Sequence, residues 1–156
     1  MSTVTGQDNV VRMLAAIREG ARPKMLETMR KVAIDMQRYV QVEKLSGQVL
    51  NRRTGTLRNS IFERVTEGAD SVSAVTGTGL SYAKPLEDGA APHVILPVRA
   101  KMLSFVVGGR RVFARQVNHP GNRAYRFLKG SLEERAPVEI ARIRKSMAEL
   151  IEASRA

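Results

Sequence analysis

The chain has no cysteine and no tryptophan, and only two histidines and seven phenylalanine and tyrosine residues occur among its 156 residues. Without cysteine, neither a disulfide framework nor a zinc-cysteine site can form, so the fold depends on packing alone, as suits a reducing cytoplasm. The few aromatic rings leave little surface for stacking single-stranded nucleic acid. At this length a domain buries about 68–70% of its unfolded surface, which predicts a self-sufficient core.

Long apolar runs are also missing from the N-terminal region. Its longest run, Met13 to Ile17, is too short for a signal sequence or a membrane span, and no basic segment precedes it. We therefore expect a protein that is made and kept soluble, with no membrane partner.

Groups for catalysis or metal binding are scarce. Neither His93 nor His119 has a carboxylate or a second histidine two to four residues further on, so no metal site and no cofactor are predicted. Both histidines lie beside prolines and are interpreted as turn or interface residues. No serine has a G-x-S-x-G context, and "TGTGLS" lacks the order of a phosphate-binding loop. An enzyme is not expected.

Positive charge is abundant. Twenty-six Lys and Arg residues against fifteen Asp and Glu residues give a formal net charge of +11, which favours polyanions or acidic protein surfaces. The simplest interpretation is a solvated face, and the alternative is contact with a neighbouring subunit or with DNA phosphates. The candidate subunit-interface or DNA-facing residues are Arg52, Arg53, Arg58, Arg110, Arg111 and Arg115.

Apolar spacing predicts helices at both ends of the chain. A short helix is expected from Asp8 or Asn9 to Gly20, and a long one from Pro23, which suits a first helical turn. The long helix has an apolar stripe at Met29, Val32, Met36 and Val40. We expect residues 1–22 to form an N-terminal arm or short helix and residues 23–156 to form one domain. A C-terminal helix is predicted from residue 124 onward, with its apolar stripe beyond Pro137.

Two hairpins are predicted between the helices. Apolar residues alternate in "SIFERVTEG" and "DSVSAVTGTG" across a short turn, and the runs "MLSFVV" and "RRVFARQV" flank Gly108-Gly109. One helical turn is expected at Tyr82 to Glu87. The predicted class is α+β, with an antiparallel sheet of about four strands packed by a long N-terminal helix and a C-terminal helix.

The stretch "RRTGTLRNSI" joins the long helix to the first hairpin. Thr54 is the expected N-cap of a short helical turn, its hydroxyl accepting a hydrogen bond from the backbone N–H of Thr56 or Leu57. Leu57 and Ile61, four residues apart, then anchor this turn to the core. The arginines of the stretch lie on the other side.

Three motifs in order resemble a known family. They are "TG-x-L-x-x-S-I" (Thr54, Gly55, Leu57, Ser60, Ile61), "YA-x-x-x-E-x-G" (Tyr82, Ala83, Glu87, Gly89) and a "pFl-x-x-al" stretch (Phe127, Leu128, Leu132). In this succession the chain resembles the tail-component family of tailed bacteriophages, the lambdoid gene-10-like neck or tail-completion proteins. Asp88 replaces an aromatic residue that is common in that family, so tail completion, tail termination and head–tail joining all stay open.

The resemblance implies a non-enzymatic virion protein, assembled in the bacterial cytoplasm, that forms a ring between the head connector or stopper and the tail tube. Rings of this kind are commonly six-fold, so a homo-hexamer is expected, with non-specific contact to DNA in the lumen. Two alternatives remain from the residues themselves. One is a basic nucleic-acid-binding module, and the other is an enzyme such as a ribonuclease that uses His93 or His119.

Overall fold

The computed structural model describes residues 5–50 and 54–155. The α+β class is confirmed: long helices lie near both ends, and the described strands between them pair antiparallel. In chain order the elements are α1 (Thr5–Tyr39), a π-helix (Val40–Lys44), α2 (Thr56–Asn59), β1 (Ile61–Glu67), β2 (Val72–Thr78), α3 (Ala83–Asp88), β3 (His93–Ile95), β4 (Leu103–Val107), β5 (Arg110–Ala114), β6 (Val117–His119) and α4 (Lys129–Ala153).

The chain divides into two compact units. The first, here called the helical unit, comprises Met1–Leu80 and Phe127–Ala156, of which residues 5–50, 54–80 and 127–155 are described. It contains α1, the π-helix, α2, the β1–β2 hairpin and α4. The second, the ribbon unit, is Ser81–Arg126 and contains α3 and the remaining four strands.

Helix α1 continues through the predicted stop at Gly20, so the expected break between two N-terminal helices is wrong. Gly20 lies against α4, where an added Cβ would be 2.7 Å from Cδ1 of Leu150. The glycine therefore permits close helix packing instead of ending the helix. Pro23 lies inside α1, where its ring removes one backbone donor from the helical ladder.

The core of the helical unit lies along the predicted stripe of α1. Val32, Met36 and Val40 are buried there, together with Ala33. Ile61 at the start of β1 and Phe127 just before α4 are also buried, and Phe127 has no exposed surface. A side-chain amide fixes the hairpin to α1, since Nε2 of Gln37 donates to the carbonyl of Ile61 at 2.6 Å.

Both predicted hairpins are present. Strands β1 and β2 pair from Ile61 opposite Thr78 to Glu67 opposite Val72. Strands β4 and β5 pair across Gly108 and Gly109, whose φ angles of 56° and 80° are the positive values that a two-residue type I′ link needs. The single helical turn expected near Tyr82 is α3.

The strands differ from the expected four-stranded sheet in number and pairing. In the described ranges there are six strands in three separate two-stranded pairs. The additional pair, β3 with β6, has only three residues in each strand, which is too short for an alternating pattern to reveal. Helix α4 begins at Lys129 and not at residue 124, because Arg126 adopts a φ of 50°.

Candidate subunit-interaction surface

The six candidate arginines do not form one group in the structure. Arg52 and Arg53 lie outside the described residues. Arg58, in α2, donates from Nε to the backbone carbonyl of Gln41 at 3.2 Å and so ties α2 to the π-helix. Its guanidinium has a structural task within the helical unit.

The other three arginines lie in the ribbon unit, at and just beyond the β4–β5 turn. Arg110 and Arg111 are the first residues of β5, and Arg115 follows its end. All three are exposed, and their guanidinium groups make no hydrogen bond or ion pair with other residues that the structure describes. They are therefore available to an external partner.

The hairpin that carries these arginines, here called the β4–β5 ribbon, is apolar on both faces. Side chains alternate between the faces along each strand, yet consecutive positions are exposed: Val106 is 66% and Val107 58% exposed, and Phe105 also faces solvent. On the opposite strand Phe113 is 58% exposed. An isolated two-stranded hairpin is at best marginally stable in water, and a contiguous exposed apolar surface is typical of an interaction site.

The β4–β5 ribbon was predicted from the sequence, but the exposure of apolar side chains on both of its faces was not. The signal was available, because "FVV" and "VFA" are continuous apolar runs where a hairpin with one solvated face should alternate. A continuous run is typical of a strand covered on both sides.

Charge is distributed unevenly between the units. The ribbon unit holds eight of the 26 basic side chains and only two of the 15 acidic ones. No Asp or Glu occurs between Asp88 and Glu133. The ribbon unit therefore carries more than half of the net charge, while most carboxylates belong to the helical unit.

The helical unit has an apolar groove of about 530 Å³ between α1, β2 and α4. Its floor is formed by core residues of α1, among them Val32 and Met36. Three large residues at its rim face water: Val75 is 54%, Leu132 60% and Ile140 47% exposed. This arrangement leaves a second apolar surface uncovered, here called the α1–α4 groove.

One carboxylate lines the α1–α4 groove. Glu139 is 5% exposed, and its Oε1 accepts from Nη2 of Arg135 at 2.7 Å. Its Oε2 lies 3.3 Å from Nη1 of Arg142 but accepts no hydrogen bond within the described part of the chain. Glu139 is thus held between the guanidinium groups of Arg135 and Arg142, and its Oε2 is shielded from solvent.

A charged network connects α1 and the π-helix to α4. Nζ of Lys44 and the hydroxyl of Tyr39 both donate to Oε2 of Glu134 at 2.6 Å. These hydrogen bonds, that from Lys44 first, lower the pKa of the Glu134 carboxyl, and the bond to Glu134 raises the pKa of Lys44. The π-helix positions Lys44 for this contact.

The two histidines are cross-strand neighbours in the β3–β6 pair. Their ring centroids are 5.0 Å apart. Nδ1 of His119 accepts from the backbone N–H of Gly121 at 3.0 Å, and Nδ1 of His93 lies 2.9 Å from the carbonyl of Ala91. These contacts favour a structural role. Across residues 5–50 and 54–155, no group of three or more His, Cys, Asp or Glu residues is placed to hold a metal ion.

The prediction that Thr54 is the N-cap of α2 is wrong, because Gly55, with a φ of 79°, holds that position and no side chain caps the helix. The hydrogen bond expected of the Thr54 hydroxyl is present, since the backbone N–H of Thr56 donates to Oγ1 of Thr54 at 3.3 Å. The family-like motif positions are thus mainly structural: Gly55 forms a turn, and Ile61, Ala83 and Phe127 are buried. Leu132 differs, since it lies exposed at the groove rim.

No protein-family model matches the chain, and comparison with curated proteins and with solved structures finds no significant relative. No helix in the described ranges has the length and apolar composition needed to cross a membrane. The resemblance to phage neck proteins therefore rests on the three motifs.

Proposed function

We propose that the chain is a structural virion protein of the head–tail junction of a tailed phage or a phage-derived particle. Copies of it form a closed homo-oligomeric ring, with six subunits as the expected number, between the head connector or stopper and the tail tube. It acts by binding neighbouring proteins and not by catalysis. Localisation to the virion neck, after assembly in the bacterial cytoplasm, is part of the proposal.

The observation that best supports this function is the β4–β5 ribbon. A ring subunit needs two different surfaces that meet across each contact, since a head-to-tail interface closes by rotation. The ribbon is apolar on both faces, is exposed and has arginines at its turn. A monomeric soluble protein rarely exposes such a surface, whereas an assembly subunit covers it.

The motif residues support the same class of function. The family-like positions in "TGTLRNSI" set turns and fill the core: Oγ of Ser60 donates to the carbonyl of Leu57 at 2.8 Å and lies 2.7 Å from Oγ1 of Thr78. None of these contacts assembles a nucleophile, a base and an oxyanion site as an enzyme requires. The motif residues therefore stabilise the fold.

A second function, a basic nucleic-acid-binding module, is favoured by the absence of carboxylates between Asp88 and Glu133. Such a module would bind duplex DNA as a monomer, and log affinity would fall steeply and linearly with log salt concentration. The two functions make different predictions about the oligomeric state of the free protein at physiological salt.

Negative-stain microscopy and mass photometry of the purified protein, at rising concentration and with or without duplex DNA, test the proposal. Closed rings with a mass near six times the 17.2-kDa chain support it. Monomers that bind DNA with a steep salt dependence, and form no rings, support the nucleic-acid-binding module instead.

A further inference from the structure

We propose that one face of the β4–β5 ribbon binds an acidic surface of a different protein, an apolar cleft that is flanked by carboxylates. This face, here called the arginine face, consists of Ser104, Val106, Arg111 and Phe113, and Arg115 follows at the next alternate position. The inference deepens the proposed function, on which it rests, by stating the chemistry of a partner that the subunit contacts at the head–tail junction.

The register of the ribbon distinguishes its two faces. Residues directly opposite each other share a face, so Val106 and Arg111 lie together, and Phe113 lies on the same face two residues further along β5. Val106 is 66% and Phe113 58% exposed, whereas Phe105 and Val112, which pair on the other face, are 37% and 38% exposed. The arginine face is therefore the more open face in the middle of the ribbon.

The free arginines determine the sign of the partner's charge. Arg111 and Arg115 make no hydrogen bond or ion pair with any residue in the described ranges. Along the chain, the nearest carboxylates are those of Asp88 and Glu133. A guanidinium group binds a carboxylate through two parallel hydrogen bonds, and complementary charge favours such a surface over a neutral one. The partner surface is therefore acidic.

Another copy of this chain is not favoured as that partner. The ribbon unit has eight basic and two acidic side chains, and the helical unit has 18 basic and 13 acidic ones. Both units are net positive, so charge complementarity directs the arginine face to a different molecule.

The apolar residues of the arginine face distinguish a protein partner from a nucleic acid. Phe113 lies between Arg111 and Arg115 in the chain, and Val106 lies opposite Arg111. A duplex backbone bound there would cover these apolar side chains with a highly polar surface. Single-stranded nucleic acid stacks on successive aromatic rings, but the arginine face has one ring, because Phe105 lies on the other face.

The positions of the arginines also disfavour a membrane surface. A membrane-binding element keeps its cations on a polar side and its apolar side chains on the opposite side, whereas Arg111 and Phe113 share one face. Arg110 and Arg111 directly follow the Gly108-Gly109 turn, and a charged hairpin tip is costly to insert into lipid.

The composition of the ribbon is that of a protein-binding surface. Aromatic residues, Met and Arg are enriched in protein–protein interfaces, whereas Lys, Asp and Glu are depleted. Residues 102–115 include one methionine, two phenylalanines and three arginines, and no Lys, Asp or Glu. Buried aromatic and Arg side chains contribute most to affinity at such interfaces. Phe113 is therefore the anchor that enters the apolar cleft, and Arg111 and Arg115 meet carboxylates at its rim.

Zero-length cross-linking in assembled particles tests the proposal. The particles are purified from cells that express each variant in place of the wild-type chain. Arg111→Lys keeps the positive charge and adds an amine, which a carbodiimide joins to a carboxylate in direct contact with it. Arg38→Lys is the matched control, because Arg38 is an exposed residue of α1 that makes no hydrogen bond or ion pair in the described part of the chain. Peptide mass spectrometry identifies the chain and the residue joined to each position.

The expected product joins position 111 to an Asp or Glu of a protein other than this chain, in several-fold excess over products at position 38. Adding Phe113→Ser to Arg111→Lys should reduce this product at least about ten-fold, because the anchor is lost. Predominant linkage to another copy of this chain, no linkage above the control, or a yield that Phe113→Ser leaves unchanged overturns the proposal.

The nucleic-acid and membrane alternatives have their own measurement. Purified full-length protein is titrated with a short duplex DNA and with phosphatidylglycerol vesicles at physiological salt. The pair Arg111→Gln with Arg115→Gln is compared with the pair Arg38→Gln with Arg144→Gln, two exposed arginines of the helical unit. Each pair removes two charges, so both should lower affinity for either polyanion equally. A loss at least about ten-fold larger for the ribbon pair, with either probe, overturns the proposal.

Failure of this inference is separable from failure of the proposed function. Linkage of position 111 to another copy refutes the acidic partner and leaves a ring-forming neck protein intact. Absence of the chain from purified particles, or normal joining of heads to tails in cells that lack it, refutes the function itself.

Discussion

Replacing Thr28 by valine should destabilise the α1–α4 scaffold through a hydroxyl pair that the two helices share. Oγ1 of Thr28 donates to the carbonyl of Lys24 at 2.8 Å and lies 2.6 Å from Oγ of Ser146. Thr28 has one hydroxyl proton, which it donates to the backbone carbonyl of Lys24, so the hydroxyl of Ser146 must donate to Oγ1 of Thr28. Both residues are buried, at 4% and 9% exposure.

The loss of stability in each variant depends on which buried group loses its hydrogen-bond partner. Thr28→Val keeps the branched shape but leaves the buried Ser146 hydroxyl without its acceptor, at a cost of about 1–3 kcal/mol. Ser146 can still donate to the carbonyl one turn earlier in α4, so the lower half of that range, about 1–2 kcal/mol, is expected. Ser146→Ala should cost less, because Thr28 keeps its bond to Lys24 and alanine favours the helix by a few tenths of a kcal/mol.

Thermal and urea unfolding of the wild type, the two single variants and the double variant measure these effects. Thr28→Val should lower Tm by about 2–8 °C. The double variant should recover most of that loss, since replacing both partners by apolar groups of similar shape is nearly neutral. If Ser146→Ala costs as much as Thr28→Val, the assigned donor and acceptor are wrong. If the losses of the two single variants simply add in the double variant, the two hydroxyls do not interact.

Three further substitutions test other parts of the structure. Phe127→Ala should cost about 3–5 kcal/mol in urea unfolding because the ring has no exposed surface, and a cost under 1 kcal/mol would contradict that burial. Gly121→Ala should selectively speed amide hydrogen exchange in the ribbon unit. The φ of Gly121 is 81°, and an added Cβ would lie 2.2 Å from the carbonyl oxygen of Ala90. Exchange that speeds equally in both units would contradict this prediction. Glu134→Gln should lower the free energy of unfolding near neutral pH, because the hydrogen bond from Lys44 lowers the pKa of Glu134 in the folded chain. The difference in this free energy between the variant and the wild type should shrink as the pH falls below the ordinary carboxyl pKa of 4.5. A difference that grows on acidification would contradict that assignment.

The elements with strong local signals were predicted from the sequence. The stripe from Val32 to Val40 has helical spacing, and Gly108-Gly109 is one of the few compositions that a two-residue hairpin link tolerates well. The errors have physical causes. Gly20 looks like a helix end in isolation, but it lies against Leu150, 130 positions further along the chain, and no local pattern reports such a neighbour.

The candidate surface was predicted only in part. Arg110 and Arg111 were placed correctly at a hairpin turn, whereas Arg58 makes a hydrogen bond within the helical unit that its sequence context does not reveal. The α1–α4 groove could not be predicted, because its walls come from three elements distant in sequence. The burial of Glu139 depends in the same way on tertiary packing.

Electron microscopy of particles from cells in which the gene for this chain is deleted, and then restored, tests the proposed neck function. The deletion lysate should contain filled heads and separate finished tails, and complementation by the wild-type chain should restore joined particles. The proposed function would be contradicted if the deletion lysate contained joined, infectious or DNA-transferring particles in the same proportion as when the gene is present.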